Sequence, residues 1–122
     1  MDARTIARVQ AAGRLVLGTG LLATPSLIGE RWVGDPAGSA GGQVLAAGLG
    51  GRDVAIALGT LRALGRHGGA GSWVRAGVIA DLADLVATLR HRDALPPLVV
   101  PAVAALAGGS VLLGAYLQHA LD

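Results

Sequence analysis

The stretch from Leu95 to Gln118, LPPLVVPAVAALAGGSVLLGAYLQ, carries no charged residue over 24 positions. About 20 apolar residues suffice for an α-helix to cross the hydrocarbon core of a bilayer. Pro96 and Pro97 suit the first turn of such a helix, and Pro101 lies close enough to its start to be tolerated. The segment therefore predicts a transmembrane helix in an integral membrane protein.

The composition of the whole chain indicates the same environment. Apolar residues make up 52% of the 122 residues and 20 glycines add to them, whereas charged residues are only 15%. An average soluble protein has about 25% charged residues. The formal charge of +2 comes from ten scattered arginines without lysine, and the chain has only two Trp, one Tyr and no Phe. Without a basic run or an aromatic platform, nucleic-acid binding has no support, and the lack of cysteine excludes disulfides and thiolate metal sites.

Three further segments have the apolar character of membrane spans. We predict one membrane domain over residues 1–122, with spans at about 5–29, 43–64, 73–89 and 95–118. Pro25 should distort the last turns of the first span. The connections are short and rich in glycine, and short connections favour antiparallel neighbours. The expected fold class is therefore all-α, as a compact antiparallel four-helix transmembrane bundle.

Arginines near the predicted span ends give the expected orientation. Five lie on one side of the membrane and three on the other: Arg4, Arg8, Arg62, Arg66 and Arg75, against Arg31, Arg90 and Arg92. Cytoplasmic segments carry an excess of positive residues. We therefore expect a multi-pass membrane protein with both termini in the cytoplasm.

Five ionisable residues fall inside the predicted spans, namely Arg14, Arg52, Asp53, Asp81 and Asp84. At about 1.5 Å of rise per residue, Arg52 lies about 14 Å into its span and Asp84 about 16 Å from the opposite face. The two meet in depth if the hydrocarbon core is about 30 Å thick. Each charge facing lipid would cost about 2.5 to 3.5 kcal/mol. We therefore expect the five side chains to turn inward in one layer, although adjacent Arg52 and Asp53 should point in different directions.

Two arginines against three acids leave this layer with a formal charge of −1. A guanidinium can bridge two carboxylates, and the remaining carboxyl would be protonated, hydrated or bound to a cation. One interpretation is a structural ion-pair network in a structural or accessory membrane subunit. The other is a small transporter or a proton or cation pathway that uses Asp81 and Asp84.

The remaining polar and small residues suggest no further chemistry. His67, His91 and His119 lack the spacing of metal ligands, so we expect no metal and no cofactor. Small residues recur at helix-packing spacing at six positions: Gly48, Gly51, Ala55, Gly59, Ala105 and Gly109. The expected partners are the lipid bilayer and either a second copy, in a homo-oligomer, or a larger membrane-protein complex.

A recurring spacing is formed by Gly51, Arg52 and Asp53, a turn at Arg66, and Gly77 with Asp81 and Asp84. In this spacing, over about residues 10–118, the chain resembles small four-span bacterial membrane proteins that form a family of unknown function, and its arginines without lysine are typical of an actinobacterial member. The resemblance implies an integral membrane bundle in a bacterial inner membrane and no assigned activity. A weaker resemblance is to CDP-alcohol phosphotransferases, in which a glycine precedes paired aspartates. The chain lacks that family's preceding Asp-Gly element and its metal-binding acid pair, so we expect a non-enzymatic protein.

Overall fold

The computed structural model describes residues 1–66 and 68–121, and this part of the chain is all-helical, without a strand. The all-α class predicted from the sequence is confirmed. The α-helices are α1 (Ala3–Ala23), α2 (Pro25–Val33), α3 (Ala40–Leu64), α4 (Ala70–Arg90) and α5 (Val99–Ala120). Short 3-10 turns, Asp35–Gly38 and Arg92–Ala94, lie in the connections before α3 and before α5.

Side-chain caps fix where α1 and α3 begin. The Asp2 carboxylate accepts the backbone N–H of Thr5 at 2.7 Å, and the Ser39 hydroxyl accepts that of Gly42 at 3.0 Å. Both satisfy amides that have no partner inside the helix. The Thr5 N–H also lowers the pKa of Asp2 below its usual value, because it stabilises the charged carboxylate.

The first predicted span is not one helix with distorted last turns, and this prediction is corrected. α1 ends at Ala23, α2 begins at Pro25, and the two axes are bent by 109°. The Thr24 hydroxyl donates to the Gly20 carbonyl at 2.8 Å, which closes α1. Pro25 has no N–H and suits the first position of a new helix, so the chain turns sharply instead of continuing to residue 29.

Two helices, α3 and α5, are long and apolar enough to cross a membrane, and the bent pair of α1 and α2 adds a third if it forms one broken span. α4 carries too many charged residues to count as a candidate span, because every 18-residue stretch of it contains Arg75, Asp81 and Asp84. By length and composition, the described residues therefore hold two or three candidate spans instead of the four predicted. This is compatible with a membrane protein.

Neighbouring helices run in opposite directions. α1 packs along α3 and α4 packs along α5, while α3 also contacts α4. The contacting pairs are Arg14 with Asp53 and Gly18 with Gly50 on α1 and α3, and Arg75 with Gln118 and Val78 with Gly114 on α4 and α5. In both sets one residue number rises as the other falls, so each pair of helices is antiparallel.

Large apolar side chains lie mainly on the outside of the molecule. Exposed fractions of 70% or more are found at Met1, Val16, Val44, Leu45, Leu98, Leu106 and Leu112. An apolar cluster of Ala7, Leu64, Ala70, Val74 and Leu117 is buried between the helices instead. Soluble monomers rarely expose apolar surface on this scale, whereas lipid tails solvate it without cost.

Candidate functional site

The structure brings the five predicted ionisable side chains together, and we call this group the ionic layer: Arg14, Arg52, Asp53, Asp81 and Asp84. Arg14 on α1 donates to Asp53 on α3 at 3.0 Å and to Asp81 on α4 at 2.5 Å. Arg52 on α3 donates to both carboxylate oxygens of Asp84 on α4, at 2.9 and 2.7 Å. Each guanidinium therefore joins different helices with its planar fork.

Arg52 also contacts its neighbour Asp53, although the two positions point in different directions on the helix. Its Nη2 and Nε atoms lie 3.2 and 3.4 Å from Asp53 Oδ1. The long arginine side chain bends back across its own helix, which the short aspartate side chain cannot do. Because Arg14 and Arg52 share Asp53 Oδ1, the ionic layer is one continuous network and not two separate ion pairs.

Two uncharged polar residues that the sequence analysis missed extend the network to α5. The Ser110 hydroxyl donates to Asp81 Oδ2 at 2.6 Å. Gln10 Nε2 on α1 donates in turn to the Ser110 hydroxyl at 3.0 Å and to its carbonyl at 3.2 Å. The sequence signal for this contact is a single serine within the uncharged stretch at 95–118, most of which folds as α5. With these bonds, α1, α3, α4 and α5 all contribute to one polar cluster.

The ionic layer is largely withdrawn from the surface. The side chains of Arg14, Asp53 and Asp81 are 10%, 13% and 11% exposed, while Arg52 is 28% exposed. Within residues 1–66 and 68–121, no buried polar side-chain atom lacks a hydrogen-bond partner. Buried charges are tolerated when they are paired and hydrogen-bonded, and the ionic layer meets both conditions.

A cavity of about 490 Å³ borders the ionic layer. Arg14 and the three aspartates form part of its wall, together with Gln10 and Ser110. The rest is mostly apolar and comes from α1, α2 and α5, including Leu17, Ile28, Trp32, Val99, Val103 and Leu106. Cavities of roughly 300 to 1,000 Å³ with apolar walls and a few convergent polar groups are typical small-molecule sites.

The predicted packing positions divide into two groups. Gly59 accommodates Trp73 of α4, since a Cβ added there would overlap the indole ring. The others do not lie at a close crossing within the chain: a Cβ at Gly48, Gly51 or Gly109 would meet no atom within 4 Å, and Ala55 and Ala105 are exposed. For these five positions, helix packing stays a prediction. The close crossing of α1 and α3 is at Gly18 and Gly50, where an added Cβ would lie 2.8 or 2.6 Å from the opposite backbone oxygen.

The two histidines that the structure describes take no part in the site. His91 and His119 are exposed, and His67 lies outside the described residues. Among the residues that the structure describes, no group of three or more histidine or acidic side chains is arranged to hold a metal ion.

Comparisons of the chain with family models, curated proteins and solved structures found no match. The interpretation of the site therefore rests on its own geometry and chemistry.

Proposed function

We propose that the chain is a small, non-enzymatic integral membrane protein whose α1, α3, α4 and α5 form an antiparallel four-helix transmembrane bundle. The observation that carries the proposal is the ionic layer, in which both guanidiniums bridge carboxylates of different helices and Ser110 ties in α5. In lipid, charged side chains that pair inside the bundle avoid the cost of facing hydrocarbon. The layer would therefore hold the bundle together.

The charges of α4 are compatible with a span that inserts as part of a bundle. Asp81 and Asp84 each contact an arginine of another helix. Arg75 lies near the start of α4, where a long side chain can extend its charged end to the interface. The 21 residues of α4 give a length of about 30 Å, which matches the hydrocarbon core.

The proposed setting is a bacterial inner membrane with both termini in the cytoplasm, as the arginine counts favour. The proposed role is that of a structural or accessory subunit in a homo-oligomer or a larger membrane-protein complex. The outward positions of Gly48, Gly51 and Ala55 on α3 support this role, because small residues let a helix of another subunit approach closely. The non-enzymatic proposal is favoured by Asp81 and Asp84, whose carboxylates are already bound by guanidiniums.

The experiment that tests the structural role replaces two acids of the ionic layer. The double variant Asp81→Asn/Asp84→Asn leaves two buried arginines with one carboxylate. Because asparagine keeps an acceptor oxygen, we expect a loss of about 3 kcal/mol of folding free energy, at the lower end of the cost of breaking a buried ion pair. The measurement is unfolding by sodium dodecyl sulfate in mixed micelles, followed by circular dichroism. The matched control, Asp35→Asn/Asp93→Asn, removes two exposed acids and should stay near the unmodified protein. Equal stability of the two double variants would refute the structural role.

A proton or cation pathway is the second candidate, and a specific observation favours it. The ionic layer has one carboxylate more than it has guanidiniums, and its acids border a cavity. If this candidate is correct, proteoliposomes with the full chain should show proton or cation flux above that of protein-free liposomes. The Asp81→Asn variant should reduce that flux. Background flux across a range of pH and a panel of cations would eliminate the pathway and leave the structural proposal intact.

A further inference from the structure

Two carboxylate oxygens of the ionic layer make no hydrogen bond within the described residues. Asp53 accepts its bonds on Oδ1, and Asp81 accepts its bonds on Oδ2. Because no buried polar side-chain atom of this part of the chain lacks a partner, Asp53 Oδ2 and Asp81 Oδ1 must reach open space. Both residues line the 490 Å³ cavity, so this cavity offers two free acceptors from two different helices.

The charge of the cavity wall is uneven. The three aspartates of the ionic layer exceed its two arginines by one negative charge. The other cation of the wall, Arg31 on α2, forms no ion pair with the layer among the described residues. Its neighbour Trp32 donates to the Thr88 hydroxyl at 3.1 Å, which fixes α2 over the end of α4. A ligand therefore meets acceptors and negative charge at the ionic layer, and apolar side chains together with the Arg31 cation elsewhere.

We propose that the cavity binds an amphiphile with a protonated primary amine and an apolar chain. The ammonium group donates to Asp53 Oδ2 and Asp81 Oδ1, and its charge neutralises the excess carboxylate. A primary ammonium has three N–H donors, enough for both free oxygens. The apolar chain lies against Leu17, Val103 and Leu106 of α1 and α5. This binding site goes beyond the proposed structural role, which requires no ligand.

The chemistry of the site predicts a ranking of four ligands with the same alkyl chain. The primary amine supplies both positive charge and donors, a trimethylammonium supplies charge alone, and an alcohol supplies one donor without charge. A carboxylate is repelled by the excess negative charge of the layer. We expect the amine to bind at a concentration about tenfold lower than the alcohol or the trimethylammonium, and the carboxylate to bind most weakly.

Tryptophan fluorescence can measure this ranking with the full chain in phosphatidylcholine vesicles. Each probe carries bromine near the far end of its chain, and bromine quenches an indole that it contacts. Trp32 lines the cavity, whereas Trp73 packs against Gly59 and does not line it. The ranking is measured first on the unmodified chain, and the Trp73→Phe variant then assigns the quenching to Trp32. Equal quenching by amine and alcohol would overturn the proposal.

A pair of glycine variants tests whether the cavity itself is the site. Gly13 lines the cavity, and a Cβ added there meets no atom of another helix within 4 Å, so Gly13→Leu places an apolar side chain in the space of the cavity. Gly48 on α3 has the same open surroundings but does not line the cavity. We expect Gly13→Leu to abolish the tenfold preference for the amine and Gly48→Leu to retain it. An unchanged preference in Gly13→Leu would also overturn the proposal.

Two sources of the amine can be distinguished in the same assay. Adding phosphatidylethanolamine to the vesicles introduces a lipid whose head group carries a primary amine. If this lipid raises the concentration of bromoalkylamine needed for quenching, the site accepts an aminolipid. If it has no effect while the amine preference persists, the site takes free long-chain amines. Both results support the proposed ligand class and identify its source.

Discussion

Replacing Arg14 by methionine should destabilise the protein by about 3 to 5 kcal/mol, because it leaves two buried carboxylates without their shared cation. Arg14 is 10% exposed and contacts both Asp53 and Asp81. Methionine retains the apolar stem of the side chain and removes the charge and the donors. Arg52→Met should cost less, since Arg52 is 28% exposed and Asp53 keeps its bond to Arg14.

The measurement for Arg14→Met is the free energy of unfolding in mixed micelles. Arg8→Met is the matched control, because Arg8 is an exposed arginine on the same helix. In Arg14→Met, Asp53 keeps its contact with Arg52, whereas Asp81 has no cation partner. Adding Asp81→Asn removes this unpaired carboxylate and should restore part of the lost stability. If Arg14→Met were no less stable than Arg8→Met, Arg14 would not bridge the helices.

The clustering of the charged residues could be predicted because it depends on the position of each residue along its own helix, which can be read without knowing the neighbouring helices. For helices that cross a membrane, the helical rise and the thickness of the hydrocarbon core predict that Arg52 and Asp84 lie at one level, without knowledge of the packing. Ser110 and Gln10 could not be assigned to the polar cluster in the same way. An uncharged polar side chain is tolerated at many depths in a span, so its position does not require a partner.

The buried face of α3 could not be read from spacing alone, and the reason is side-chain length. The predicted packing positions Gly48, Ala55 and Gly59 lie on the side of α3 that carries Arg52, whereas the residues buried on α3 include Gly50, Asp53, Ala57, Thr60 and Leu64. Aspartate is short and must stand on the buried face to reach a partner there. Arginine can start from the side of the helix and extend its guanidinium inward. Of two adjacent charges, the shorter therefore defines the buried face.

The sharp bend between α1 and α2 depends on contacts that are distant in sequence. Pro25 predicts an interruption but not its angle. In the structure, α2 is held by Gly29, where an added Cβ would lie 3.0 Å from Ala37 and 3.4 Å from Ala46, and by the bond from Trp32 to Thr88. These partners lie on the α2–α3 connection, α3 and α4, so the direction of α2 is decided only when the other helices are in place.

Replacing Gly50 by leucine should separate α1 from α3 and cost about 3 kcal/mol or more, at or above the upper end of the usual penalty for overpacking. A Cβ at position 50 would lie 2.6 Å from the Gly18 carbonyl oxygen and 2.8 Å from the Leu22 nitrogen. Both are backbone atoms, so a change of rotamer cannot relieve the clash. Because Asp53 is one turn from Gly50, moving the helices apart would also stretch its bond to Arg14.

Gly48→Leu is the matched control for Gly50→Leu, since it makes the same change on the same helix, two residues away. Position 48 has open space beside it, and leucine favours a helix over glycine by up to about 1 kcal/mol. Gly48→Leu should therefore unfold at the same detergent fraction as the unmodified chain or at a higher one, while Gly50→Leu unfolds at a lower one. Mass measurement in mild detergent detects a separate effect on assembly. If α3 contacts another subunit through Gly48, Gly48→Leu lowers the mass of the oligomer while each subunit stays folded. A loss of subunit stability in Gly48→Leu equal to that in Gly50→Leu would show that the close crossing is not at Gly18 and Gly50.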